Sequence, residues 1–130
     1  MQFLNPPDWP RPKGYSNGVS ARGRMVFTAG VIGWDEREEI GSDRLADQVR
    51  QALANVVAVL RAGDAAPEHV VRMTWYVTDV EEYRASLKEI GAAYRAVMGA
   101  HYPAMAVVQV VRLVEPRAKV EIEATAVVPD

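Results

Sequence analysis

At 130 residues the chain is long enough for one domain with a sizeable core, and its 49% hydrophobic and 25% charged residues are an ordinary globular balance. A formal net charge of −2, with no run of Lys or Arg, argues against a nucleic-acid or acidic-membrane partner. Cysteine is absent, which excludes disulfides, thiolate nucleophiles and sulfur-ligated metal.

The opening MQFLNPPDWPRPKGY has no apolar stretch fit for a signal peptide, and no membrane-spanning run follows, so a cytoplasmic location is expected. Pro6, Pro7, Pro10 and Pro12 predict an extended or irregular arm over residues 1–13. No repeat or linker follows, and residues 1–130 read as a single domain. Short strands are expected near Gly14–Val19 and Met25–Ala29, with a turn at Ser20–Gly23 between them. Gly30–Gly41, rich in glycine and acidic residues, reads as a loop. Ser42 is placed to cap a helix from Asp43 to about Ala62, in which Leu45, Val49, Leu53, Val56 and Leu60 recur every three to four residues and Gly63 provides the stop.

Val70–Val77 is the clearest strand: Val71, Met73, Trp75 and Val77 alternate with Arg72, Thr74 and Tyr76. Asp79 and Glu82 have capping-box spacing for a second helix, with Tyr83, Leu87, Ile90, Tyr94 and Val97 on one face and Gly99 at its end. Ala104–Leu113 is apolar on both faces apart from Gln109 and Arg112, which predicts a central strand covered on both sides. In Lys119–Val128, Val120, Ile122, Ala124 and Ala126 point one way, and Glu121, Glu123, Thr125 and Val127 the other. The order is ββαβαββ. Two helices cover only one face of such a sheet, so the pattern alone calls for a second copy to bury the other.

Lys13-Gly14-Tyr15-Ser16-Asn17-Gly18, Val26-Phe27-Thr28-Ala29-Gly30, Met73-Thr74-Trp75-Tyr76-Val77-Thr78-Asp79, Tyr102-Pro103-Ala104, Val110-Val111-Arg112-Leu113 and Val120-Glu121-Ile122-Glu123-Ala124 occur in that order. Together they resemble the RidA/YjgF family from about Gly14 to Val127. The resemblance implies an α/β (α+β), chorismate-mutase-like fold with a mixed sheet and two helices on one face. It also implies a homotrimer whose three inter-subunit clefts hold small molecules. Studied members hydrolyse enamines and imines derived from amino acids to 2-keto acids and ammonia, without a cofactor. Older descriptions of relatives mention ribonuclease activity and translation inhibition, which the acidic balance of this chain disfavours.

The resemblance places Tyr15, Ala29, Gly30, Met105, Val107 and Glu121 at or near a cleft and matches Arg112 to the family's Arg-Leu pair; Trp34 lies in the loop after the second expected strand. Its deaminating members carry a carboxylate-clamping arginine where this chain has Met105, and a serine where it has Ala29. A thioether supplies neither charge nor a hydrogen-bond donor, so Met105 argues against ordinary arginine-clamped deamination and for an apolar pocket wall. Glu121 matches the glutamate that positions the attacking water, a general-base role; the plainer reading is a solvated strand residue beside Glu123. If both carboxylates are enclosed, their repulsion raises one pKa. Tyr15 suits a cleft or an interface, and Val107 would act through its backbone. Trp34 fits the cleft mouth or a hydrophobic edge, and Arg112 a salt bridge or a substitute clamp. Gly91 falls near a position where some members carry asparagine. His69 and His101 lack metal-ligand spacing and read as surface residues. Asp47, Arg50, Arg61, Glu81, Arg84, Lys88 and Arg95 read as solvated helix faces. Three functions stay open: a hydrolase with a non-standard substrate, a non-catalytic small-molecule-binding or chaperone-like protein, and, remotely, a ribonuclease.

Overall fold

The computed structural model describes residues 1–130. Its strands are β1 (Gln2–Phe3), β2 (Val19–Ser20), β3 (Arg24–Phe27), β4 (Val31–Ile32), β5 (Val70–Val77), β6 (Ala104–Gln109) and β7 (Val120–Val128). Its α-helices are α1 (Leu45–Ala62), α2 (Val80–Ala85) and α3 (Leu87–Met98). The main sheet is ordered β3-β7-β5-β6, with β4 also on β7; only β5 and β6 run parallel. The mixed sheet with helices on one face is the α+β architecture expected.

The core follows from alternation on the two long strands. Val120, Ile122, Ala124 and Ala126 of β7 meet Met73, Trp75 and Val77 of β5 beneath Leu45, Val49, Leu53, Val56 and Leu60 of α1. The inward set on β5 differs at one point. Val70 is fully buried while Val71 is not, because a register shift between Val70 and Arg72 inserts one residue and reverses the alternation.

Several boundaries move for local reasons. The proline arm contributes β1, which pairs with β2; of the expected strand Gly14–Val19 only Val19 belongs to β2, and Ser16 makes a single bridge. Gly30–Gly41 is a loop except for β4. Helix α1 starts after Arg44 rather than at Asp43. The Ser42 hydroxyl instead accepts from the Arg44 amide at 3.1 Å and donates to Asp47 at 2.8 Å, forming a turn ahead of the helix. Asp79 caps α2 as expected, accepting from the amides of Glu81 and Glu82. The Glu82 side chain, however, goes to Lys119 Nζ at 2.9 Å, so the reciprocal half of the box is not made. The second helix is broken at Ser86 into α2 and α3.

The largest correction concerns Ala104–Leu113. Strand β6 ends at Gln109 and lies at the sheet edge, where β5 is its one partner strand and Ser16 bridges to Ala104; Ala106 and Val108 are exposed. Its apolarity on both faces does not reflect burial on both faces within one chain. On the helix-free face, Met25 and Phe27 are 56% and 64% exposed, as the pattern of two helices and one sheet required.

Candidate functional site

Strand register decides which candidate residues can meet. Met105 and Val107 stand opposite Met73 and Trp75, on the face of the sheet that carries the helices. Glu121 stands opposite Tyr76 and Ile32, on the helix-free face. Consecutive strand residues point to opposite faces, so the two groups belong to different cavities of the same chain.

The first cavity, about 570 Å³, lies between β5, β6 and the α2–α3 layer. Tyr15, Met105, Val107 and Gly91 line it together with Trp75, Tyr83, Leu87, Ile90, Tyr94 and Tyr102. Tyr15 is brought there by its neighbour. The Ser16 hydroxyl donates to the Tyr102 carbonyl at 2.6 Å and the Ser16 amide to the Pro103 carbonyl at 3.0 Å, which ties this segment to the start of β6. The Tyr94 and Tyr102 rings stack at 5.5 Å, and Tyr94 meets Trp75 at 6.4 Å. The Tyr94 hydroxyl donates to the His101 carbonyl. Burial, followed by the neighbouring Tyr102, pushes the Tyr94 pKa well above its ordinary value, and burial raises that of Tyr83. Trp75 is 1% exposed and its Nε1 has no hydrogen-bond partner. The charged members of the wall are Lys13 and Arg95, both cationic.

The second cavity, about 580 Å³, is lined by Gly30, Trp34 and Glu121 with Asp35, Glu36, Gln51, Asn55 and Glu115. Its acidic groups have no cation among them. The Glu121 carboxylate lies directly over Gly30: a Cβ there would come within 2.6 Å of Glu121 Oε2, so the approach requires glycine. Asn55 of α1 donates to the carbonyls of Ile32 at 2.9 Å and Trp34 at 2.8 Å, fixing the loop that carries Trp34. Glu123 accepts from the Tyr76 hydroxyl at 2.9 Å. This bond, ahead of burial, leads the causes that raise the Tyr76 pKa.

Other candidates fall elsewhere. Ala29 is exposed and lines neither cavity. Arg112 makes no ion pair and lies with Leu113, Val114 and Pro116 on an exposed loop, because β6 stops before it. Neither histidine is a free surface group. His69 Nδ1 accepts from the Ala66 amide at 3.0 Å; His101 Nε2 bonds the Val70 carbonyl at 2.6 Å while Phe3 packs edge-on against its ring. Arg95 is more than a solvated helix charge, since it walls the first cavity.

Gln48, Asn55 and the orphaned Trp75 indole were missed by the sequence reading. Gln48 is 2% exposed; it donates to the carbonyls of Ser42 and Arg117 and accepts from the Lys119 amide. Its position three residues after Leu45 and one before Val49 places it on the apolar stripe of α1, and that is the signal that could have found it.

Residues 10–128 match the family model described as Endoribonuclease L-PSP. The chain belongs to that family, which includes the RidA/YjgF proteins. It is 34% identical over 116 residues to the 2-iminobutanoate/2-iminopropanoate deaminase of Salmonella typhimurium, covering 87% of this chain and 86% of that one. The crystal structure of a Rid-family protein of unknown function from Yersinia pestis superposes with a TM-score of 0.86 at 33% identity, covering 98% of each chain. That of TdcF from E. coli with bound serine superposes at 0.71 and 34% identity, covering 98% of this chain and 99% of that one. No helix in this Rid-family chain is long and apolar enough to cross a membrane.

Proposed function

We propose that this Rid-family chain is a C=N hydrolase acting on imines or enamines, in a site made where two copies of the chain meet. The observation that carries the proposal is the separation of Glu121 and Gly30 from Tyr15, Met105 and Val107 on opposite faces of one sheet. An acidic half-site holding a water-activating carboxylate and an apolar half-site holding the organic part of a substrate are complementary. A trimer closed over the helix-free face would also cover Met25 and Phe27. Glu121 would then orient a water towards the C=N carbon as general base. The addition forms a carbinolamine, which expels ammonia and leaves a carbonyl. The relatedness to a named iminobutanoate deaminase supports this chemistry.

A second reading, a small-molecule-binding protein without catalysis, is favoured by Met105 and Ala29. They leave neither a cation nor a hydroxyl at the two positions where the resemblance puts the carboxylate clamp. Ammonia release from freshly generated 2-imino acids separates the two. For the hydrolase, wild type exceeds buffer, and Glu121→Gln loses on the order of a hundredfold or more, the usual worth of a positioned base. A wild type no faster than buffer, in a preparation that sediments as a trimer, removes the hydrolase and leaves the binding protein.

A further inference from the structure

We infer that Arg95 supplies the anion anchor of the aromatic cavity, which therefore accepts a carboxylate carrying a large planar apolar group. This inference rests on the small-molecule reading of that cavity, whether or not the molecule is turned over there.

Three features of the cavity, observed independently, support it. First, its wall is almost entirely rings and aliphatic side chains: Trp75, Tyr83, Tyr94 and Tyr102 with Leu87 and Met105. At about 570 Å³ it is far roomier than a two- or three-carbon acid requires, and it falls in the range of ordinary ligand pockets. Second, the Tyr94 ring lies between Trp75 and Tyr102, with centroids at 6.4 and 5.5 Å, which gives a planar group a ring surface to lie against. Third, the lining contains cations and no carboxylate. Arg95 is engaged in none of the ion pairs of the chain, which join Arg44 to Glu89, Arg84 to Glu81, Arg117 to Asp43 and Lys119 to Glu82.

The Arg95 head, exposed at the cavity wall, lies over Gly91, one turn earlier on α3. A Cβ at residue 91 would sit 3.3 Å from Arg95 Nη1. The missing side chain thus leaves room for the guanidinium to fold back along the helix towards the cavity. Gly91 costs helix stability relative to alanine, which is understandable if the space it leaves is used. A guanidinium also recognises carboxylate in a forked geometry that Lys13, a compact and mobile point charge, does not offer. Met105 then provides an apolar surface for the planar group while the charge-binding role lies on α3.

The probe is 3-phenylpropanoate, titrated calorimetrically into the full chain, with propanoate and 3-phenylpropan-1-ol as comparisons. The expected order is phenylpropanoate tightest, with each comparison at least about tenfold weaker, one for want of the ring and the other for want of the charge. Arg95→Gln should reduce phenylpropanoate affinity about tenfold or more and leave the alcohol unchanged, and Arg95→Lys should recover part of the loss. Lys88→Gln removes a charge from the same helix outside the cavity and should change nothing. Gly91→Ala should raise the thermal midpoint yet weaken phenylpropanoate binding, a combination that a purely structural role would not produce.

Affinity within twofold of wild type in Arg95→Gln overturns the assignment. So does a wild type that fails to bind phenylpropanoate, or one that binds acid and alcohol alike. Failure of the hydrolase reading is distinguishable: ammonia release is then absent while Arg95-dependent binding of the acid persists.

Discussion

The two cavities are nearly equal in volume and are built on opposite principles. The acidic one is walled by a loop held in place by a side-chain amide, Asn55 gripping the carbonyls of Ile32 and Trp34; a second amide, Gln48, lies outside its lining and ties Ser42, Arg117 and Lys119 together. The aromatic one is walled by a strand and a helix layer held by stacked rings, with Tyr94 between Trp75 and Tyr102. A charged head lies over a glycine in each. Glu121 lies so close to Gly30 that a methyl group would come within 2.6 Å, whereas Arg95 would be 3.3 Å from one at Gly91. The contrast teaches that precision is concentrated on the carboxylate side, where a water would have to be aimed. Adaptability is left to the side that would meet the variable part of a ligand.

The sharpest way to break this contrast is to remove an amide clamp. Gln48→Leu keeps volume and burial but leaves two carbonyls and one amide without their partner. Each buried orphan costs about 1–3 kcal/mol, so a loss of roughly 2–4 kcal/mol is expected after partial hydration. Thermal or urea denaturation measures it. A loss below about 0.5 kcal/mol would mean that this amide is not what joins Ser42 to the Arg117–Lys119 segment.

A smaller effect, confined to chemistry, is expected from Gly30→Ala. Its φ lies outside the left-handed region, so the backbone accepts alanine. The new methyl group must displace the Glu121 side chain, whose Oε2, Cδ and Cγ would lie 2.6, 2.9 and 3.1 Å from it. Ammonia release should fall about tenfold, a transition-state loss of about 1.4 kcal/mol, while the unfolding midpoint moves little. Equal loss of stability and activity would place the strain in the fold rather than in the site.

Much of this organisation was readable before any coordinates. The limits of β5 were exact, and the inward set of β7 and the apolar stripe of α1 held, because alternation and helical period report burial directly. β6 was misread for a physical reason. Apolarity on both faces reads as burial on both faces, whereas β6 lies at the sheet edge with Ala106 and Val108 exposed. The bulge at Val70–Arg72 shifted one inward residue because an inserted residue leaves no mark in composition. At the site, the resemblance named Met105, Val107 and Tyr15, and those three line one cavity; it named Gly30 and Glu121, and those line another together with Trp34, read from its loop position. That they are separated could not be read from a list of residues, since it depends on strand register. Arg95 is exposed, as the sequence suggested, and that it also stands at a cavity wall beside Gly91 could not be read from a charged helix face.

The smallest expected effect distinguishes ring stacking from amide clamping by pH. Burial holds the Tyr94 hydroxyl protonated above the ordinary tyrosine value, while in the unfolded chain it ionises near pH 10. The folded state therefore binds this proton more tightly. The associated stability is complete below about pH 10 and declines as pH rises towards the folded value. Tyr94→Phe loses the hydrogen bond to the His101 carbonyl, at a cost of about 1 kcal/mol near neutrality, and it also loses the titrating group. The midpoint of wild type should thus fall faster than that of Tyr94→Phe between pH 9 and 11, closing the gap between them, whereas Gln48→Leu should fall in parallel with wild type. Parallel curves for Tyr94→Phe would show that the aromatic wall opens before the phenol ionises, and would place the alkaline weak point of the chain outside this cavity.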